Sequence, residues 1–277
     1  MSVVYISSRH EILLFGGEDA TNTPVTDTWV LGAGCWAQQS PASTPPARDS
    51  MTSAYDAAHD VVVVYGGRTG GPGQPGTFMY DTWTWDGRLW VQAATTGPVM
   101  IAPTAAYDPA AKQVIMFGST AGGEAQTWAW NGLGWQQLRP AASPSGRFAV
   151  SMTFDVATQQ LLLFGGDQTL GPVGETWTWN GSTWQQRTPT SSPSPRFNAP
   201  MASYEPGKSV VLIGGVDRSQ AYTDTWRWDG VTWTQLHPSH TPSLSVGATA
   251  VDAGSQVQLV GSVGEVWVWD GSDWTKQ

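Results

Sequence analysis

Trp83-Thr84-Trp85-Asp86-Gly87-Arg88-Leu89-Trp90 is the stretch that decides the fold. Side chains alternate along a strand, so Trp83 and Trp85 share one face. Asp86-Gly87 is a strong signal for a tight hairpin turn. Trp90 then opens the returning strand. The unit recurs at Trp128-Ala129-Trp130-Asn131-Gly132 with Trp135, at Trp177-Thr178-Trp179-Asn180-Gly181 with Trp184, at Trp226-Arg227-Trp228-Asp229-Gly230 with Trp233, and at Trp267-Val268-Trp269-Asp270-Gly271 with Trp274. A degenerate copy is Trp29-Val30-Leu31 followed by Cys35 and Trp36. All 17 tryptophans of the 277-residue chain belong to these units.

Upstream of each unit stands an apolar run that ends in glycine. The runs close at Phe15-Gly16-Gly17, Tyr65-Gly66-Gly67, Phe117-Gly118, Phe164-Gly165-Gly166, Ile213-Gly214-Gly215 and Val260-Gly261. A repeat of roughly 40–55 residues is in the range of propeller blades. One unit reads as four strands: Met51 to Tyr55, Val61 to Tyr65, Thr82 to Trp85 and Trp90 to Gln92, with a polar hairpin over Asp56 to Asp60. Such a sheet has an aromatic face that needs a neighbour, and six sheets around an axis supply one to each. The expected fold is therefore all-β, a closed six-bladed β-propeller of four-stranded antiparallel blades. It forms one domain, with blades near 1–40, 41–92, 93–137, 138–186, 187–235 and 236–277.

These residues resemble the kelch repeat: a hydrophobic strand, a Gly-Gly doublet, then spaced aromatics, often with an arginine before the first strand. The resemblance covers essentially the whole chain. The sequence departs from it at Gly118-Ser119 and Gly261-Ser262, which replace the doublet, and in the first blade, which lacks the second tryptophan and the Asp-Gly turn. The resemblance implies a propeller and leaves function open, because kelch propellers include substrate adaptors, carbohydrate enzymes and cell-surface modules.

Composition narrows the classes. The chain is 40% hydrophobic and 13% charged, with Gly 32 and Pro 19, and shows no long helical apolar pattern. Its net charge is -9, without a Lys/Arg cluster, which speaks against nucleic acid as a partner. No run approaches about 18 apolar residues, so no membrane span is expected. Cys35 stands alone, which excludes an internal disulfide and a multi-cysteine metal site. Met1-Ser2-Val3-Val4-Tyr5 reads directly as a strand, without a signal peptide. Few lysines and much Ser, Thr, Gln and Trp suit an extracellular bacterial protein. Aligned on the doublets, Met1 falls level with Met51, so an entry loop is missing. That suggests a domain of a longer protein or an engineered scaffold, and otherwise a monomer.

In such a blade the first-to-second and third-to-fourth turns lie on one face. The second-to-third and fourth-to-first connections lie on the other. The first face carries the repetitive Asp-Gly and Asn-Gly turns, which turn geometry explains. The second face varies, with a long connection from Arg68 to Tyr80, another from Glu18 to Thr26, and a short Val263-Gly264. Function is expected there. Phe78, Met79 and Tyr80 are expected to wall a cleft.

Arginines mark this face. Arg48, Arg147 and Arg196 each stand 18 residues before a Gly doublet, where the third blade has Met100 and the sixth Ser243. Guanidinium groups suit carboxylates, sulfate or phosphate through their fork geometry. Arg68 and Arg218 follow doublets and add to the set, with Phe148, Phe197 and Tyr80 as neighbours. An acid precedes each matching Trp pair (Asp81, Glu175, Asp224), which points to structural ion pairs. Gln126 and Glu265 hold that place in blades three and six. Arg147 and Arg196 are expected to be paired while presenting one edge to the channel. Asp167 and Asp217 are the best free carboxylates for acid–base work. No cofactor and no metal site are expected: His10 and His59 lie on the repetitive face, and His237 and His240 lack a third ligand. The copper-oxidase pattern of the family needs a cross-linked Cys–Tyr with histidines, and Cys35 has no such surroundings.

Two functional classes follow. One is a binding module for a protein, peptide or glycan, taking an anion, a sugar or an acidic peptide on the variable face. The other is a carbohydrate-active enzyme resembling kelch-type sialic-acid mutarotases, with an arginine on the substrate carboxylate and Asp167 or Asp217 moving protons. The residues favour the first.

Overall fold

The structure, a computed structural model, describes residues 1–32, 34–71, 75–243, 247–261 and 264–277. Among these residues there is no helix, and hence none long and apolar enough to cross a membrane. The strands form six four-stranded antiparallel sheets, each paired in simple chain order. The fold class is all-β, a six-bladed β-propeller.

Blade 1 comprises β1 (Ser2–Ile6), β2 (Glu11–Phe15), β3 (Thr28–Gly32) and β4 (Cys35–Gln39). Blade 2 comprises β5 (Thr52–Asp56), β6 (Val61–Tyr65), β7 (Thr82–Trp85) and β8 (Trp90–Ala94). Blade 3 comprises β9 (Ile101–Asp108), β10 (Gln113–Ser119), β11 (Ala125–Trp130) and β12 (Trp135–Leu138). Blade 4 has β13 (Ser151–Asp155) and β14 (Gln160–Phe164), a small hairpin of β15 (Asp167–Gln168) and β16 (Gly171–Pro172), then β17 (Thr176–Trp179) and β18 (Trp184–Arg187). Blade 5 comprises β19 (Met201–Tyr204), β20 (Ser209–Ile213), β21 (Thr225–Trp228) and β22 (Trp233–Leu236). Blade 6 comprises β23 (Thr249–Asp252), β24 (Val257–Val260), β25 (Val266–Trp269) and β26 (Trp274–Lys276).

By packing, the chain divides into two compact units: Met1–Phe117 with Trp128–Leu138, and Gly118–Thr127 with Arg139–Gln277. In the first, Ile6, Leu13 and Phe15 of blade 1 meet Val62, Val64, Trp85 and Trp90 of blade 2. In the second, Leu162 and Phe164 of blade 4 meet Val210, Leu212, Trp228 and Trp233 of blade 5. The second strand of each blade is apolar on both faces, and Val61–Tyr65 is accordingly almost wholly buried.

Strand periodicity explains how neighbouring blades interlock. Trp85 pairs with Trp90 across the Asp-Gly turn, their rings 5.3 Å apart and tilted. Trp130–Trp135, Trp179–Trp184, Trp228–Trp233 and Trp269–Trp274 repeat that pair at 5.3–5.5 Å. In blades 1 to 5 the residue before the first tryptophan of the third strand is threonine, whose side chain points to the opposite face. Each such hydroxyl accepts a hydrogen bond from the indole of the next blade's fourth strand. In the first unit Trp90 Nε1 donates to Thr28 Oγ1 at 3.0 Å, and Trp135 Nε1 to Thr82 Oγ1 at 2.9 Å. In the second, Trp184 donates to Thr127, Trp233 to Thr176 and Trp274 to Thr225, at 3.0–3.2 Å. The buried indole N–H is thereby satisfied, as burial of a polar group requires. The sixth blade has Val266 at this position, which offers no acceptor.

Two strand boundaries differ from expectation. The first strand of blade 2 runs Thr52–Asp56, one residue later than expected. Asp56 is fully buried, pairs with Val61 and accepts from the Ala58 N–H at 3.1 Å. A carboxylate that caps its own hairpin turn belongs to the strand end, not to the solvated turn. The fourth strand of blade 2 extends to Ala94 through a register shift between Thr82 and Trp83.

Candidate ligand-binding face

The simple chain order of every sheet places the second-to-third and fourth-to-first connections at the same end of each blade. There the chain leaves the second strand through the Gly doublet. Gly66 and Gly67 have φ of 68° and 105°, a conformation that side chains rarely adopt. A Cβ on Gly67 would lie 2.7 Å from the Asp49 carbonyl oxygen. Beyond the doublet the chain forms a short ladder: Arg68 bridges Asp49 on one side and Phe78 on the other. Blade 4 repeats this with Phe148 and Asp167, and blade 5 with Phe197, Val216 and Ala221.

Arg48, Arg147 and Arg196 lie just before the first strand of their blades, and their side chains are 0% exposed. Arg48 donates Nε to the Pro46 carbonyl at 3.0 Å, Nη1 to the Gly66 carbonyl at 2.9 Å, and both Nη atoms to Asp81 at 2.7 and 3.0 Å. Arg196 repeats the set on Ser194, Gly214 and Asp224. Arg147 does so on Ser145, Gly165 and Glu175, with one carboxylate contact at 2.6 Å. The same carboxylates accept from the first indole of each pair: Trp83 to Asp81 at 2.7 Å, Trp177 to Glu175 at 2.9 Å and Trp226 to Asp224 at 2.7 Å. Each set ties the entry of a blade to its doublet and its third strand. The expectation that Arg147 and Arg196 keep one edge open to the channel is corrected by their complete burial. The doublet carbonyl and the serine carbonyl occupy the donors left over by the acid.

Electrostatics follow from that geometry. Burial pushes the Asp81, Asp224 and Glu175 carboxyls up. The guanidinium and indole hydrogen bonds, with the arginine charge, outweigh it and hold all three below the ordinary carboxylate value. Two residues after each arginine the backbone turns left-handed, at Ser50, Ala149 and Asn198 with φ of 51–55°. Ala102 does the same at 40° behind Met100, so the kink belongs to the chain path and not to the ion pair.

Arg68 and Arg218 differ from the buried three. Their side chains are 45% and 52% exposed. Arg218 donates to Asp167 at 3.1 Å and to the Gln168 carbonyl at 2.7 Å. Among the described residues Arg68 has only charge partners, Asp49 at 3.5 Å and Glu18 at 4.0 Å. Asp217 accepts from Tyr222 Oη at 2.6 Å and from Ser219 and Gln220, which holds its carboxyl far below the ordinary range. The ring of Tyr222 also lies 3.9 Å from the Arg196 guanidinium carbon. Phe148 and Phe197 are half-buried on their ladders.

Of the expected cleft wall, Phe78 and Met79 line a real cleft of about 190 Å³ with Tyr65, Arg68 and Met100. Tyr80 is not among its lining residues and packs with Tyr65, Met100 and Met116 instead. The middle of that long connection, residues 72–74, lies outside the described residues, as does Val263 of the blade 6 connection. What the sequence reading did not foresee is the far wall, formed by Met100, Ala102 and Pro103 of blade 3.

Histidine chemistry is local. His59 Nδ1 lies 2.7 Å from Asp56, and His240 Nδ1 lies 2.7 Å from Asp273. Among the described residues no group of three or more His, Cys, Asp or Glu is placed to hold a metal ion. Cys35 is exposed at the start of β4.

Compared with known proteins, the chain matches no protein-family model and no curated protein.

Proposed function

We propose that the chain is a kelch-like binding module that takes its ligand on the face of the Gly doublets. The ligand class is a carboxylate- or sulfate-bearing small molecule, glycan or acidic peptide. One observation carries the reading. Within each unit the arginines divide into a buried set with every guanidinium nitrogen hydrogen-bonded, Arg48 in the first and Arg147 and Arg196 in the second, and a half-exposed one, Arg68 in the first and Arg218 in the second. The buried set makes a rigid base, and a rigid base lowers the entropy lost when a ligand is ordered on it. The half-exposed set supplies cationic forks that match oxyanions. Propeller folds commonly serve as interaction modules, which agrees with this reading.

The carbohydrate-enzyme reading has weaker support. A general base works best with a pKa near the operating pH. Asp217 is shifted the opposite way, and Asp167 is engaged by Arg218. Isothermal titration of sulfate, sialic acid and an acidic peptide tests the proposal. Saturable binding weakened by Arg68→Ala or Arg218→Ala supports it. Turnover of a bound sugar would move the protein to the enzyme class, and no binding of any probe would remove the proposal.

A further inference from the structure

The cleft of about 190 Å³ in the first unit lies where blade 2's doublet meets the entry of blade 3. In blades 2, 4 and 5 an arginine reaches a doublet carbonyl and an acid. In blade 3 the equivalent residue is Met100, buried but with no donor to extend. The cleft opens beside it, between Ser50, Tyr65 and Gly66 to Arg68 of blade 2, the Phe78-Met79 segment, and Met100, Ala102 and Pro103 of blade 3. Its wall is mostly apolar: Phe78 is 45% exposed, Met79 is half-buried, and both methionines are adaptable and favour aromatic neighbours. Cavities of about 150 Å³ already hold a benzene ring.

Arg68 is the one cationic residue among the described residues lining this cleft. Its backbone is fixed on both sides by the ladder to Asp49 and Phe78. Its guanidinium, by contrast, makes no hydrogen bond among the described residues. Asp49 and Glu18 hold it by charge, and the second Asp49 oxygen is buried without a hydrogen-bond partner. An incoming carboxylate therefore finds unused donors. It competes with Asp49 at 3.5 Å and with Glu18 at 4.0 Å, of which Glu18, 36% exposed, is the one able to turn to water.

We propose that this cleft binds a small monocarboxylate with an aromatic body, of about the size of phenylacetate. Its carboxylate meets Arg68, and its ring lies among Phe78, Met79 and Met100. The inference rests on the reading of this face as ligand-binding and narrows it to one ligand class.

The test is titration of the protein with sodium phenylacetate, the neutral isostere phenylacetamide, and sodium sulfate. Variants are Arg68→Gln, Phe78→Ala and Glu18→Gln, each first checked for an unchanged melting temperature. Saturable phenylacetate binding is expected. A charge-assisted hydrogen bond is strong enough that the amide, and Arg68→Gln with phenylacetate, should each lose at least about tenfold. Phe78→Ala should also weaken binding. Glu18→Gln removes a competing charge at a half-exposed site and should tighten binding about two- to fivefold. Absence of phenylacetate binding, equal binding of the amide, or no effect of Arg68→Gln would overturn the inference. If sulfate, sialic acid or an acidic peptide binds the same sample while phenylacetate does not, the ligand-binding face stands and the cleft assignment falls. If none binds, both fall.

Discussion

Trp90 of blade 2 donates its indole N–H to Thr28 of blade 1 at 3.0 Å, and both side chains are buried. The link joins the aromatic face of one sheet to the alternate face of the preceding one. It converts a repetitive sequence into a chain of bonded blades. Four further Trp–Thr pairs repeat it within the two units.

Thr176→Val removes the acceptor from Trp233 while keeping the shape of the side chain. A buried donor left without a partner costs about 1–3 kcal/mol. Urea unfolding should show that loss. Thr234→Val, on the exposed part of β22, should show almost none.

Arg48→Ala leaves Asp81 buried without its partner and should cost about 3–5 kcal/mol. Arg147→Ala should cost less, because the Glu175 side chain is 36% exposed and water compensates it. The order of the two melting temperatures checks this. A gain in stability from either variant would mean that the arginines crowd positive charge and do not fasten the blades.

Trp179→Ala removes a ring that is 1% exposed and should cost about 3–5 kcal/mol. Trp177 is only half-buried, so Trp177→Ala should cost less in packing while freeing Glu175 from one donor. Thermal melts of the two variants separate these contributions.

Acid and base should act on different groups. Asp81, Asp224 and Glu175 have folded values below their unfolded ones. Their stabilisation is present above the ordinary carboxylate range near about pH 4 and is lost as pH falls through the lowered values. Asp252 goes the other way: burial pushes it up to about 7, helped by the Glu205 charge against the Gly254 N–H. Its contribution is present below about pH 4 and is lost as pH rises through about 7. Between about pH 5 and 8 the urea midpoint of Asp252→Asn should therefore fall less than that of the parent.

The fold was legible because its signals are local. Trp83, Trp85, Asp86, Gly87 and Trp90 lie within a few positions and state a strand, a turn and a strand. The ion pairs were half legible: Arg48 and Asp81 are 33 positions apart, but acids occur wherever the arginines do. Their complete burial was not, since it depends on doublet carbonyls that any sequence offers. The Trp–Thr links join residues 49–62 positions apart and use a threonine that strand propensity alone explains. The cleft joins Gly66 to Arg68 and the Phe78-Met79 segment of blade 2 to Met100 of blade 3, residues far apart in the chain that only the fold brings together.

The most direct measurement of the central claim is the melting temperature of the parent and of the double variant Arg68→Ala/Arg218→Ala, each with and without sulfate, sialic acid and an acidic peptide. A ligand that binds only the folded state raises the melting temperature in proportion to its affinity. The account predicts an upward shift of the parent with at least one of these anions, and loss of that shift in the double variant with its unliganded stability unchanged. The same shift in both proteins, or no shift in the parent with any of the three, would contradict it.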